Sequence, residues 1–163
     1  MILSVIVSLL LLAAYIAYAV GVVRGIPSSV SDTYYRLEKR GKRKGLFQLA
    51  MIVPAMLLLP AWLECSGENI RFLAFLSCGG LIFVGAAPLF KLELEGRVHY
   101  SAAAVCGISA ILWVCLSGMW IIPLAVLPVV AGMGIRYRKW VFWIECAAFA
   151  VTYLAVLLVC AGR

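Results

Sequence analysis

Charge is what this chain has least of. Only 13% of its 163 residues are Asp, Glu, Lys or Arg, against 66% hydrophobic, and the mean hydropathy is +1.09. A soluble domain carries about a quarter charged residues, and no polar stretch here is long enough to form one. Residues 1–163 therefore read as a single integral membrane domain. Histidine occurs once, at His99, which excludes a three-histidine zinc centre on this chain alone. The six cysteines, Cys65, Cys78, Cys106, Cys115, Cys146 and Cys160, include no C-x-x-C pair, and five fall inside apolar runs. They are expected to be small apolar fillers, not a disulfide or zinc framework. No P-loop, dinucleotide fingerprint, nucleophile elbow or H-E-x-x-H is present, so the usual phosphate, nucleotide, acyl-transfer and zinc-protease chemistries lack their signatures.

What is there instead is apolar runs of about 20 residues, the length needed to cross a bilayer. They predict an all-α, polytopic helical bundle with six transmembrane helices over 2–23, 46–63, 71–90, 98–118, 119–135 and 140–161. The first run ends near Ala17-x-Ala19, a cleavage-like pattern, but the positive charges follow it instead of preceding it. It reads as a retained helix. Pro54 and Pro60 should kink the second span, because each removes a helical N–H. The fifth is barely long enough and holds Pro123 and Pro128, so irregularity is expected there. Ala13, Ala17, Gly21 and Gly25 recur every four residues, a stripe that suits either close helix packing within the chain or a homo-oligomer face.

The basic residues give the orientation. With the N-terminus outside, the loops after spans one, three and five lie inside. They carry Arg24, Arg36, Lys39, Arg40, Lys42, Arg43 and Lys44, then Lys91 and Arg97, then Arg136, Arg138 and Lys139. These are twelve of the fourteen Lys and Arg, with Arg71 and Arg163 outside. Such asymmetry is the positive-inside pattern. It predicts both termini outside and a multi-pass protein of the bacterial inner (cytoplasmic) membrane. The net charge of +7 thus points away from nucleic acid and toward anionic lipid headgroups at residues 36–44, where each cation near the surface contributes about 1 kcal/mol.

The stretch 22–43 is the longest interruption of the oil, and it brings Ser28, Ser29, Ser31 and Asp32 to the inner end. Glu93, Glu95 and His99 arrive from the next inner loop. Glu145 lies five residues into the last span, roughly 7 to 8 Å of helix rise from Trp140. A carboxylate at that depth needs a partner or a polar cavity, and Arg97, His99, Arg136 and Arg138 are the candidates. Two readings follow. In one, Ser31, Asp32, His99 and Glu145 bind a membrane lipid or small ligand. In the other, Ser28 or Ser29 acts with Asp32 and His99 in nucleophilic or acid–base catalysis. No resident cofactor is expected, although Asp32 and His99 with a glutamate are of the right type to hold a divalent metal. Each residue also has a plain structural reading: serines before a Tyr–Leu run N-cap a short interfacial helix with Asp32 in its first turn, and Glu145 sits in an ion pair. A small channel or carrier, or an assembly role, stands behind these.

The segments I-P-S-S-V-S-D-T-Y-Y (26–35), F-V-G-A-A-P (83–88) and E-G-R-V-H-Y-S-A-A-A (95–104) resemble small bacterial six-helix membrane proteins of unknown function, read as distant relatives of the superfamily of alkaline ceramidases and progestin and adiponectin receptors. That superfamily has seven spans and hydrolyses lipid amides at a zinc held by three histidines beside a Ser and an Asp. The resemblance implies that Ser28 or Ser29, Asp32 and His99 are the matching polar positions. This chain departs from it by lacking two of the histidines and one span.

Overall fold

A computed structural model describes residues 1–42, 45–90 and 92–162. Arg43, Lys44, Lys91 and Arg163, which entered the charge count, lie outside the described residues, as do the side chains of Glu93 and Glu95. The described residues are all-helical, with no strand among them. The helices are α1 Ile2–Val23, α2 Asp32–Lys39, α3 Gly45–Cys65, α4 Arg71–Ala86, α5 Leu92–Val114, α6 Ile121–Tyr137 and α7 Trp140–Ala161.

Five helical stretches among the described residues are long and apolar enough to cross a membrane: Ile2–Val23, Gly45–Cys65, Glu68–Leu89, Gly96–Met119 and Trp140–Ala161. The class is thus a multi-pass helical membrane protein. The fifth predicted span becomes α6, with 17 residues. At 1.5 Å per residue it reaches roughly 25 Å, short of the roughly 30 Å hydrocarbon core. The charged stretch expected to be a loop after span three instead opens α5 at Leu92, in keeping with the helix preference of alternating Leu and Glu. At the other end of α5 the chain passes through a π-turn at Cys115–Met119, where Gly118 takes φ +81°. A side chain there would be strained, which is why a glycine breaks the helix at this point.

The packing closes a ring. α1 lies on α3, α3 on α4, α4 on α5, α5 on α7, and α7 returns to α1, with α3 also touching α7; α6 lies outside the ring along α7. Its core runs through Leu12, Met51, Trp62, Trp113, Tyr153 and Val156. α4 comes close to both neighbours through glycines. A Cβ on Gly80 would sit 2.8 Å from the Ala102 carbonyl and the Cys106 nitrogen of α5, and one on Gly85 would sit 2.9 Å from Met51 Cβ of α3. Small residues at such crossings are how helices gain van der Waals contact where lipid competes equally for apolar side chains.

Two expectations change. The Ala13, Ala17, Gly21 and Gly25 stripe faces out of the bundle, and α1 instead buries Val5, Ser8, Leu12, Tyr15, Ala19 and Val23. Packing within the chain is therefore not what the stripe does. Trp62, whose place near the end of its apolar run would suit an interfacial anchor, is 1% exposed and stacks edge-on against Trp113 at 5.3 Å, because an indole is large enough to fill the ring between α3 and α5. α3 holds both Pro54 and Pro60 inside one helix. At mid-bundle the buried Ser8 hydroxyl donates to the Pro54 carbonyl at 2.8 Å and bonds the Tyr153 hydroxyl at 2.5 Å, joining α1, α3 and α7.

Candidate functional site

The loop from α1 to α2 is built around its own polar atoms. α1 ends at Arg24 in a left-handed conformation, φ 52° and ψ 46°. Arg40 reaches back from the end of α2, its guanidinium donating to the carbonyls of Val22 and Val23 at 2.6 and 2.8 Å. These are carbonyls at the end of α1 that have no partner further along the helix. Of the serines expected to cap α2, Ser31 stands at the N-cap but makes no side-chain cap bond; the Ser29 hydroxyl accepts from the Asp32 N–H at 3.0 Å, and Ser29 and Ser31 bond each other at 3.0 Å. Thr33, buried, donates to the Val30 carbonyl and bonds the Tyr15 hydroxyl at 2.6 Å, pinning α2 to α1.

Asp32 holds the turn together. Its Oδ2 accepts from the Ser28 N–H at 2.9 Å, from the Ser28 hydroxyl at 2.7 Å and from Arg36 Nε at 2.6 Å. Partial burial pushes its carboxyl up, but the hydrogen bonds from Ser28 and the Arg36 guanidinium outweigh this and hold it below the ordinary carboxylate range. Arg36 and Arg40 are thus engaged within the protein, whereas Lys39 and Lys42 stand exposed.

Glu145 has a different partner from the four cationic side chains considered for it. The Val30 N–H of the loop donates to its Oε2 at 2.5 Å. Arg36 is paired with Asp32, and Arg97 lies across α5 in a separate groove with Phe75 and Phe83. A backbone N–H at 115 residues' separation takes one oxygen of the carboxylate and brings no counter-charge.

These pieces surround one cavity of about 600 Å³. Ser28, Ser29, Ser31 and Asp32 line it from the loop and the start of α2, His99 from α5 and Glu145 from α7, so the six residues singled out in the sequence share a space. Aromatic side chains complete the wall: Tyr34 and Tyr35 of α2, Phe47 of α3 and Tyr100 of α5. Tyr34 meets Tyr35 edge-on at 5.1 Å and Phe47 at 5.9 Å, and His99 lies against Tyr100 at 5.7 Å. A recess of about 100 Å³ adjoins the cavity past His99 and Glu145, walled by Met51, Leu81, Val84 and Phe149. No Lys or Arg lines either space among the described residues.

Tyr34, Tyr35 and Tyr100 lie near the ends of apolar runs, where interfacial anchoring is the ordinary expectation, and no local pattern marks their place in the wall. The Ser28–Asp32–Arg36 spacing, i to i+4 twice, was the one local signal of a linked cluster. Among the described residues no three His, Cys, Asp or Glu side chains gather as a metal site would require. The Ser28 hydroxyl is directed to Asp32.

The chain is a multi-pass helical membrane protein with a polar and aromatic cavity at one end of its helical ring. No family model, no curated protein and no solved structure matches it.

Proposed function

We propose that this is a six-span inner-membrane protein of bacteria, with both termini outside, whose cavity faces the inner leaflet and binds a lipid or small amphiphile. The observation that carries the reading is the composition of the wall: polar groups from α2, α5 and α7 and the loop before α2 surround a single space of about 600 Å³, within the range of small-molecule sites. The twelve-to-two distribution of basic residues supports the orientation, and Lys39 and Lys42, exposed beside the cavity, suit anionic headgroups. α6, although short for a span, carries the chain from the π-turn back to α7, and counting it gives the six crossings that the charge asymmetry calls for.

The test is to purify the full chain in mild detergent and extract what travels with it. A stoichiometric amphiphile in the native protein, absent from Ala103→Trp, which fills the cavity from α5, is the expected result. A native protein that carries none, and whose thermal stability no added lipid alters, refutes the reading.

A second reading, a lipid amidase or esterase, draws on the resemblance to the ceramidase-containing superfamily and on Ser28, Asp32 and His99 sharing the cavity. It requires hydrolysis of a lipid ester or amide that Ser28→Ala and His99→Ala each abolish. Turnover that survives both variants, or is absent from the native protein with divalent metal added, removes it.

A further inference from the structure

We infer that the ligand of this cavity is an amphiphile with an ammonium head, seated against Glu145 and the tyrosine wall with its apolar part toward the recess; the inference rests on the binding reading above. The charge of the wall decides the sign. Two carboxylates and one imidazole, that of His99, line the cavity, and no Lys or Arg does among the described residues. Asp32 already has its counter-charge in Arg36. Glu145 does not: Val30 takes Oε2 with a neutral N–H, and Oε1 has no protein partner among the described residues.

An anionic head, whether phosphate or carboxylate, would meet like charge here. A neutral head would displace water from Glu145 and supply no counter-charge, so that the carboxylate would have to be buried as an uncompensated ion or be forced to take up a proton, and either costs free energy. A protonated amine reverses both terms. It supplies the missing cation and up to three donors for Oε1 and the neighbouring Ser31 hydroxyl.

The aromatic residues add a second, independent argument. Tyr34, Tyr35, Phe47 and Tyr100 enter the wall from three helices, and ring faces attract an ammonium group within about 6 Å. The groove along α4 and α5 and that along α1 and α3 hold no acidic residue among the described residues. The recess beside Glu145, with Met51, Leu81, Val84 and Phe149, gives the apolar part of the molecule a place on the far side of the head.

The experiment compares three probes that share one tail: dodecylamine, dodecanol and dodecanoate, added to the full chain in maltoside micelles, with occupancy read by native mass spectrometry. One dodecylamine per chain is expected, bound about tenfold more tightly than dodecanol, with dodecanoate weaker still. Glu145→Gln should bring the amine to within about twofold of the alcohol and leave the alcohol unchanged. Tyr100→Leu, at a residue 76% exposed and so not needed for folding, should weaken the amine alone, which keeps the test intact if the Glu145 variant misfolds. Equal binding of amine and alcohol, or an amine preference that survives both variants, overturns the ammonium head while leaving the binding cavity standing. Failure of all three probes to bind saturably overturns the cavity reading and the inference together.

Discussion

Replacing Asp32 by Ala should loosen the wall of the cavity before it loosens the bundle. Three hydrogen bonds end on one oxygen of this carboxylate, two from Ser28 and one from Arg36. The Arg36 side chain is 38% exposed, so the ion pair itself contributes about 0.5 kcal/mol, as exposed i, i+4 pairs do. The two bonds from Ser28 add about 1 kcal/mol each. The expected loss is therefore about 2 to 3 kcal/mol, against about 1 kcal/mol for Ser28→Ala, which removes only the hydroxyl bond. Asp32 also gives the loss a pH signature. Its carboxyl titrates lower in the folded protein than its ordinary value of 3.8. A depressed pKa means that the folded state prefers the ionised form, so the stabilisation is fully present above the unfolded value and fades as pH falls through the folded one. Thermal unfolding in detergent between pH 7 and pH 3 reads both effects. The difference between native protein and Asp32→Asn should be constant from pH 7 to about pH 5 and then shrink. A difference that grows toward acid, or an Asp32→Ala protein as stable as the native one at pH 7, refutes the role assigned to this turn.

The sequence revealed the helices readily and the site only by depth. Long apolar runs specify spans almost independently of context, because a backbone in hydrocarbon must bond to itself, and five of the six predicted runs emerge as span-length helices among the described residues. The fifth run forms the shortest of the six helical stretches, since Gly118 ends one helix and α6 has only 17 residues before Arg138 turns left-handed. Which face of a span points inward is weaker information. A helix surrounded by lipid has no polar side, so the Ala13–Ala17–Gly21 stripe and the buried face of α1 cannot be told apart by hydrophobicity. Ser8 is the case in point: a lone serine in an apolar run gave no hint that Pro54 and Tyr153, 46 and 145 residues away, would meet its hydroxyl. The end of the bundle was easier. Ser28, Asp32, His99 and Glu145 are polar where polarity is rare, and topology alone brings them to one depth. Their meeting around one cavity depends on the ring order of the helices, which no local pattern records.

Adjacent glycines on α4 should separate by sign. Gly80→Ala drives a Cβ into the α5 backbone at 2.8 Å and should lower stability by about 1 to 3 kcal/mol, while Gly79→Ala, with nothing within 4 Å, should be neutral or stabilising by up to about 1 kcal/mol; equal effects in thermal unfolding would refute the close crossing. Ser8→Ala leaves the Tyr153 hydroxyl with one partner fewer inside the bundle and should cost about 1 to 3 kcal/mol, most of it restored by Tyr153→Phe in the double variant. Glu145 supplies the sharpest comparison, because its partner is a backbone N–H and not a cation. Glu145→Gln keeps an oxygen acceptor of the same shape at the same place, so Val30 stays bonded and the protein should lose less than about 1 kcal/mol. Glu145→Leu removes the acceptor and strands the N–H of a residue only 4% exposed, a loss of about 1 to 3 kcal/mol. Had an arginine been the partner, both substitutions would leave a buried cation uncompensated and both would destabilise strongly. Measured unfolding free energies that put Gln and Leu together at several kcal/mol would therefore restore the ion pair and remove the unpaired carboxylate on which recognition of an ammonium head depends.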